Sequence, residues 1–181
     1  MKPIVVTPNP VLVTAARTVT SFDKRLGKLV SDMKRTLGAA RNPKGVGLAA
    51  PQIGEGWRVF VTRPTEKSDV RVFINPEITV YSNEKTDGVP ERENKLEGCL
   101  SIPKIWGKVH RAHGLTLKYQ DETGAAHVEK FTGFLATIIQ HETDHTNGIL
   151  FVQRVLEQKG KLYESAKDEN GKDVLDEVTL S

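Results

Sequence analysis

Apolar residues recur at steps of three and four between positions 21 and 40. They are Phe22, Leu26, Leu29, Val30, Met33 and Leu37. Because an α-helix has about 3.6 residues per turn, this spacing gathers the apolar side chains on one face. Ser21 is the predicted N-cap, and Asp23 falls in the first turn. The pattern therefore predicts an N-terminal amphipathic helix that serves as scaffold.

Short segments rich in Val, Ile, Phe, Tyr and Thr follow this helix and indicate strands. They cover residues 57–62, 70–74, 78–81, 115–120 and 127–132. Turns are predicted at Asn75-Pro76 and at residues 121–124, and the second turn is typical of a hairpin. Further along, residues 133–146 predict a second helix that ends near Asn147-Gly148.

The second helix presents Phe134, Ile138, His141 and His145 on one face, so its apolar stripe continues into two histidines. The predicted order is a helix, several strands and then a second helix, without βαβ alternation. This order is typical of an α+β fold. We expect antiparallel β-sheets packed around this central helix. The charged residues 156–181 carry glycine breakers, and we expect them to form at most a short helix or strand and to be partly ordered.

The length of 181 residues suits a single domain. The 26 basic and 23 acidic residues give a net charge of +3 and are scattered, which does not favour direct nucleic-acid binding. No apolar run approaches the roughly 18 residues of a membrane span, and the N-terminus lacks a signal-peptide pattern. A single cysteine excludes an intramolecular disulfide. We therefore expect a cytoplasmic protein, or one of an organelle matrix after loss of a presequence.

Residues 141–145 read His-Glu-Thr-Asp-His, an HExxH motif on the second predicted helix. Histidines at positions i and i+4 face the same way and can bind one metal ion together. Glu142 is then placed to take a proton from a metal-bound water without being a ligand. The alternative is that His141 and His145 are core histidines, since five-residue patterns also occur by chance.

A catalytic site of this type usually needs a third protein ligand. A metzincin would have a histidine at position 151, where this chain has Phe151. Glu157 and Glu164 lie in a polar, lysine-rich stretch that is typical of solvated surface. Cys99 is the better candidate, because it lies between a glycine and an apolar segment that ends at Pro103. The alternative for Cys99 is a small buried apolar side chain.

Three segments resemble the signature motifs of the peptide deformylase family, in the family's order. They are GVGLAAPQIG at residues 45–54, EGCLS at 97–101 and QHETDH at 140–145. The similarity extends from about residue 8 to about residue 151. It implies a metal-dependent hydrolase that removes the N-formyl group from the N-terminal methionine of newly synthesised polypeptides and releases formate. The family fold agrees with the α+β prediction.

The resemblance also implies the roles of individual residues. One divalent metal ion is expected, Fe(II) in the native enzyme with zinc, nickel or cobalt as alternatives, and its ligands are Cys99, His141 and His145. Glu142 would be the general base toward the metal-bound water that attacks the formyl carbon, and then the acid toward the departing amine. The Gln52 side chain and the Leu100 backbone N–H would stabilise the oxyanion.

The implied substrate-binding residues are Gly45, Val46, Gly47, Glu97 and Gly98. Exposed backbone in this region would let a nascent N-formylmethionyl peptide pair as a strand. Asp144 is expected to pair with Arg111, and a transient ribosome contact is expected. The alternatives are that residues 45–54 are simply a glycine-rich turn and that Gln52 is an ordinary loop amide.

The chain departs from the family pattern at two helix positions. Thr137 stands where an arginine is common, and Thr146 stands where a leucine is usual. Lys104 and Trp106 lie in a variable region that contributes to the substrate cleft. These departures bear on side-chain preference and leave the reaction type unchanged.

Three functions are compatible with the motifs. The first is a deformylase, the second is another metal-dependent amidohydrolase or zinc protease, and the third is a non-enzymatic adaptor with a structural metal. Structural zinc normally has four protein ligands, and the sequence offers three convincing ones, which disfavours the third. We therefore predict one catalytic metallohydrolase domain at residues 1–155 and a polar tail at residues 156–181.

Overall fold

The structure is a computed structural model that describes residues 1–41 and 44–179. The helices are α1 (Lys24–Ala39), α2 (Gly133–Thr146) and α3 (Phe151–Glu157), with 3₁₀ turns at Pro10–Val13 and Ala50–Ile53. The strands are β1 (Gly47–Ala49), β2 (Val59–Thr62), β3 (Arg71–Tyr81), β4 (Glu97–Cys99), β5 (Ile102–Gly107), β6 (Gly114–Gln120), β7 (Ala126–Thr132), β8 (Leu162–Lys167) and β9 (Asp173–Glu177). The predicted α+β class is confirmed.

The strands form two sheets in which every pairing is antiparallel. One sheet has the order β1-β2-β3-β6-β7, and the other has the order β4-β5-β8-β9. Helix α2 packs on the five-stranded sheet, where Ala136 and Ile139 join an aromatic core around Phe60 and Phe73. Its histidine-bearing face is directed to β4 of the other sheet, where His145 contacts Cys99. The helix that carries the motif therefore contacts residues of both sheets.

Helix α1 begins later than predicted. Its N-cap is Asp23, whose carboxylate accepts hydrogen bonds from the backbone N–H groups of Arg25 and Leu26. The predicted N-cap at Ser21 is therefore wrong, because a charged carboxylate two residues further along satisfies the free N–H groups of the first turn. The predicted apolar stripe is confirmed for Leu26 and Val30, which are buried in a core shared with β1 and β2. It is wrong for Phe22, which precedes the helix and is exposed.

The predicted turn at Asn75-Pro76 is wrong. Strand β3 runs through these residues, and its pairing with β6 shifts register between Ile74 and Glu77. Asn75 has a φ of 52°, which asparagine tolerates, and its side chain holds both the N–H and the C=O of Val19. A bulge accommodates the proline because one residue there is left out of the hydrogen-bonded ladder.

The predicted hairpin and the predicted second helix are confirmed. Strands β6 and β7 pair along their whole length, and the Asp121 carboxylate accepts from the backbone N–H groups of Thr123 and Ala125 in the turn. Helix α2 has the predicted bounds and is followed by Gly148 at a φ of 74°. A side chain on Gly148 would collide with the backbone of Val13 and Thr14, so the helix end needs glycine.

The expectation that the tail forms at most a short helix or strand is wrong. Strand β8 pairs with β5 and with β9, so the tail completes the four-stranded sheet. Leu162 is buried against Phe151 and Val155, whereas most other side chains of β8 and β9 are partly or fully exposed. The predicted boundary at residue 155 falls inside α3. Within residues 1–41 and 44–179, no helix has the length and apolarity that crossing a membrane requires.

Candidate metal centre

Cys99, His141 and His145 converge between β4 and α2. Their ligand atoms all lie within 4.8 Å of one another, and the Cys99 Sγ is 3.2 Å from the His145 Nε2. The two imidazole rings are 5.0 Å apart between centroids, as expected for positions i and i+4 on one helix. One thiolate and two imidazoles are a donor set that suits several divalent ions. The three side chains are therefore placed to bind one divalent metal ion.

Local backbone structure presents the thiol at the end of β4. The register between β4 and β5 shifts at Cys99, which lies opposite Ile102 in a tight turn. The backbone N–H of Ser101 points back to the Cys99 Sγ at 3.4 Å. This contact helps to fix the position of the sulfur at the end of the strand.

Gln140 fixes the histidine-bearing helix against the segment before β6. Its side-chain amide donates to the Ala112 carbonyl at 2.9 Å and accepts from the Ala112 N–H at 3.0 Å. Both polar ends of the amide are thus satisfied within the protein interior. The glutamine that precedes HExxH is therefore a structural anchor, a role that sequence reasoning did not assign.

Glu97 orients His141. The His141 Nδ1 lies 2.5 Å from the Glu97 Oε1, which turns the other ring nitrogen toward the ligand cluster. Arg111 holds the same carboxylate by two hydrogen bonds, at 2.8 Å to Oε2 and 2.7 Å to Oε1. Burial raises the pKa of Glu97, but the Arg111 guanidinium outweighs it and holds the pKa well below its usual range.

The predicted pair of Asp144 and Arg111 is confirmed. The Arg111 Nη1 donates to the Asp144 Oδ2 at 3.0 Å, and the two side chains are 5% and 11% exposed. Arg154 donates to the other carboxylate oxygen at 2.7 Å. Arg111 thus joins Glu97 on β4 to Asp144 on α2, and this buried network sets the position of the helix relative to the strand.

Glu142 lies in a different environment from Glu97 and Asp144, which are both paired with Arg111. Its side chain is buried, and its Oε2 has no hydrogen-bond partner within the part of the chain that the structure describes. Burial raises the pKa of Glu142 to about 7. A side chain on Gly47 would overlap the Glu142 carboxylate, so only glycine allows this close approach of β1 to α2. The carboxyl group is therefore free to exchange a proton near neutral pH.

The Gln52 amide is fixed with its nitrogen toward the cluster. Its Oε1 accepts from the Ala49 N–H at 2.8 Å, which settles the orientation of the amide. Its Nε2 lies 3.4 Å from the Cys99 Sγ and 3.3 Å from the Ser101 Oγ. The side chain is fully buried, so a preorganised N–H donor is held beside the ligand cluster.

A cleft opens beside the cluster, bounded by the segment leading into β1, by β4 with β5, and by α2. All five expected substrate-binding residues line it, and so does Leu100. The five are Gly45, Val46, Gly47, Glu97 and Gly98. The carboxylate of Glu97, however, is engaged by Arg111 and His141. Trp106 also lines the cleft, as predicted, and a side chain on Gly98 would overlap its ring. Lys104, predicted in the same region, is exposed and is not among the residues that line the cleft.

Sequence reasoning missed three cleft residues: Lys44, which precedes β1, and Val89 and Arg92, which come from the loop before β4. The Arg92 guanidinium lies 5.4 Å from the centre of the Trp106 ring. No periodicity or motif in that loop indicated either residue.

The rejected ligands Glu157 and Glu164 are exposed, and Phe151 stacks beside His141 at 6.2 Å between ring centroids.

Comparisons with known proteins agree with this geometry. The family model described as polypeptide deformylase matches residues 1–161. A peptide deformylase of Heliobacterium modesticaldum is 44% identical over 81% of this chain and 89% of its own length. Among solved structures, the peptide deformylase of Thermus thermophilus aligns with a TM-score of 0.76 at 39% identity, covering 88% of each chain. That of Synechococcus elongatus, in complex with actinonin, aligns with a TM-score of 0.75 at 33% identity, covering 84% of this chain and 78% of its own.

Proposed function

This chain belongs to the polypeptide deformylase family, and we propose that Cys99, His141 and His145 form the metal centre of its deformylase activity. The family is metal-dependent and removes the N-formyl group from nascent peptides, so this chain is a hydrolase of that kind. The observation that carries the site assignment is the convergence of one thiol and two imidazoles beside a buried carboxyl group without an ion-pair partner among the described residues.

The proposed metal in the native enzyme is Fe(II), with zinc, nickel or cobalt as substitutes. When bound, the ion supplies Lewis acidity that lets water react as a nucleophile near neutral pH. Cysteine with two histidines suits several divalent ions, and availability selects among them. The family resemblance supports iron, and the donor set is compatible with it.

Glu142 is the proposed general base and acid. Its Oε2 takes a proton from the attacking water and returns it to the amine that leaves when the formyl carbon–nitrogen bond breaks. The pKa of about 7 supports this role, because a group of that pKa both accepts and releases a proton efficiently at neutral pH. The alternative, that Glu142 only orients a neighbouring ligand, predicts little change in kcat when the carboxylate becomes an amide.

Gln52 and Leu100 are the proposed oxyanion donors. The Gln52 Nε2 is held toward the cluster by the Ala49 N–H at its other end. Leu100 follows Cys99 in the turn between β4 and β5 and lines the cleft. Donors fixed before the reaction stabilise developing charge without having to reorient.

The substrate peptide is proposed to bind as an extended strand along the cleft. Gly45, Val46 and Gly47 offer backbone on one side, and Glu97 and Gly98 offer backbone on the other. Main-chain hydrogen bonds suit an enzyme that accepts many sequences after the first residue. The actinonin complex of the Synechococcus relative supports a ligand-binding cleft, and we expect this chain to bind actinonin as well.

We further propose that the enzyme acts in the cytoplasm, in transient contact with ribosomes. A thiolate ligand is best preserved in a reducing compartment. The substrates are nascent chains, so brief association with the ribosome would bring enzyme and substrate together. Co-sedimentation with ribosomes at low salt tests the contact, and complete absence from the ribosomal fraction would contradict it.

Anaerobic purification with metal analysis, coupled to formate release from a formyl-Met tripeptide, tests the proposal. We expect stoichiometric divalent metal and turnover of the formylated peptide only. Acetylated and unformylated peptides distinguish the second candidate, a general metal-dependent amidohydrolase or protease, which would cleave them too.

Cys99→Ala is expected to lose metal under chelator competition, whereas His127→Ala, which changes a histidine paired with Asp121 outside the site, should keep it. Unchanged metal in Cys99→Ala would refute the ligand assignment.

A further inference from the structure

The Arg92 guanidinium is a cation on the wall of the cleft that no carboxylate neutralises. It comes from the loop before β4 and is partly buried. Its Nη1 donates to the Leu96 carbonyl at 2.9 Å, and its other N–H groups have no protein partner within the described residues. Burial lowers the pKa of Arg92, but a guanidinium stays charged at neutral pH. A partly buried charge with free donors points to an anionic group of the ligand.

The acidic residues near Arg92 do not supply this anionic group. Glu97 attracts the guanidinium from a distance, but its carboxylate is engaged by Arg111 and His141. Glu93 is next to Arg92 in the sequence, is exposed and forms no ion pair in the part of the chain that the structure describes. The charge of Arg92 is therefore available to a bound peptide.

Beyond Trp106, the cleft widens into an outer pocket of about 590 Å³. The outer pocket is lined by Lys44, Arg92, Glu93, Asn94 and Trp106. Three of these residues also line the cleft, so the two spaces are continuous. Lys44 adds a second positive charge, although Glu66 pairs with it at 3.0 Å. Two cations and one carboxylate give the outer pocket a net positive charge, which favours an acidic side chain over a neutral one.

Gly98 and Trp106 connect the ligand cluster to the outer pocket. Gly98 precedes Cys99 on β4 and pairs with Trp106 on β5, whose ring packs over it. The Arg92 guanidinium lies 5.4 Å from the centre of that ring. The path from Cys99 to Arg92 is on the order of 10 Å, or about three residues of extended chain. With the formyl group at the ligand cluster, a side chain of the second or third residue reaches the guanidinium.

We propose that Arg92 is a specificity-determining residue that binds the carboxylate of an acidic side chain on the second or third residue of the substrate peptide. The guanidinium fork matches a carboxylate because it offers two parallel N–H donors, and its position over the Trp106 ring limits its movement. The inference rests on the proposed function, in which a formyl-methionyl peptide lies extended in the cleft. It adds a preference among peptides that main-chain hydrogen bonds accept generally.

Peptides that differ only in one charge test the contact. Formyl-Met-Glu-Ala-Ala amide is compared with formyl-Met-Gln-Ala-Ala amide, and formyl-Met-Ala-Glu-Ala amide with its Gln counterpart. Glutamine has the shape of glutamate without the charge, and the terminal amide removes the other carboxylate of the peptide. The quantity to measure is the ratio of kcat/KM for the Glu peptide over that for the Gln peptide, at each position.

Arg92→Met removes the charge and keeps an apolar stem, whereas Arg92→Lys keeps the charge and loses the fork. Arg17→Met is the matched control, because the Arg17 guanidinium also lies over an indole, that of Trp57 at 4.4 Å, and lines neither the cleft nor the outer pocket. Circular dichroism and metal content establish that each variant is intact. If Arg92→Met does not fold, the salt dependence of the wild-type ratio between about 0.05 and 0.5 M serves instead, because salt screens a partly exposed ion pair.

We expect a wild-type ratio about three- to tenfold above one for at least one of the two positions. The difference should lie in KM, since a contact remote from the formyl carbon is made equally before and during the reaction. The ratio should fall toward one in Arg92→Met and at high salt, take an intermediate value in Arg92→Lys and stay at the wild-type value in Arg17→Met.

A wild-type ratio of one or less at both positions would overturn the inference and leave the deformylase assignment intact. The same holds for a ratio that is unchanged in Arg92→Met or that does not respond to salt. Failure of the metal-loaded wild type to release formate from any of the four peptides would instead contradict the proposed function itself.

Discussion

Glu97 and Asp144 are both paired with Arg111, whereas Glu142, on the same helix as Asp144, has no ion pair within the described residues. All three carboxyl groups are buried. The guanidinium keeps the pKa of Glu97 well below its usual range, and burial without such a neighbour raises the pKa of Glu142 to about 7. Burial alone therefore does not decide the charge of a carboxyl group. The neighbouring cation distinguishes the two carboxylates that hold β4 and α2 together from the carboxyl group that we propose exchanges a proton.

Glu142→Gln tests the unpaired side of this comparison and carries the largest expected effect. An amide cannot accept a proton from water, so kcat should fall by about 10²–10⁴-fold, the usual contribution of a positioned acid–base group. Metal content and formyl-peptide affinity should persist, because neither needs the carboxylate. Steady-state kinetics with metal analysis make the measurement. Glu157→Gln, at an exposed glutamate, is the control, and a Glu142→Gln enzyme with near-normal kcat would leave Glu142 with an orienting role only.

Arg111→Met tests the paired side. The variant keeps an apolar stem of similar length but leaves Glu97 and Asp144 buried without their cation. Breaking a buried ion pair in this way costs about 3–5 kcal/mol of unfolding free energy. Urea unfolding of the apo and metal-loaded forms measures the change. A loss below about 1 kcal/mol, the level of a surface ion pair, would mean that water replaces the guanidinium and that the network does not hold the fold.

Glu97→Gln tests one of the two carboxylates that pair with Arg111. The amide keeps the shape but loses the charge that orients the His141 imidazole. Partners of this kind typically contribute about 10–100-fold to metal affinity. Competition with a chelator measures the affinity. Lys161→Met, which breaks a surface pair with Glu177, is the control and should leave the affinity unchanged. The same affinity in Glu97→Gln as in wild type would show that His141 is oriented without it.

The smallest effect is expected for the hairpin of β8 and β9. Lys161 and Glu177 are 62% and 51% exposed, and Lys167 pairs with an even more exposed Asp173. Exposed pairs of this type contribute little, because water and salt screen the charges. Replacing both lysines with methionine should leave the urea midpoint and kcat within experimental error. A clear loss of stability would show that the hairpin charges support β8 on β5.

Short-range patterns predicted α2 and the convergence of its two histidines, because HExxH and the apolar stripe are both encoded within a few turns of one helix. Cys99 was predicted as the third candidate ligand because its motif is also continuous, and its thiol lies beside these histidines. The contact between Glu97 and His141 was not predicted, since these residues are 44 positions apart and only the packing of β4 on α2 joins them. Strands β8 and β9 escaped prediction because their exposed faces lack an alternation of polar and apolar residues.

The position of Trp106 gives the cleft an intrinsic fluorescence reporter. Gly98 makes room for its ring on the cleft wall, and the chain has one other tryptophan, Trp57, which is covered by the Arg17 guanidinium at 4.4 Å from the ring centre. Indole emission responds to the polarity around the ring, and a peptide in the cleft would displace water from Trp106. A protein carrying Trp57→Phe should therefore report the arrival of a peptide as a wavelength shift, on the millisecond scale of stopped-flow mixing and before any formate is released.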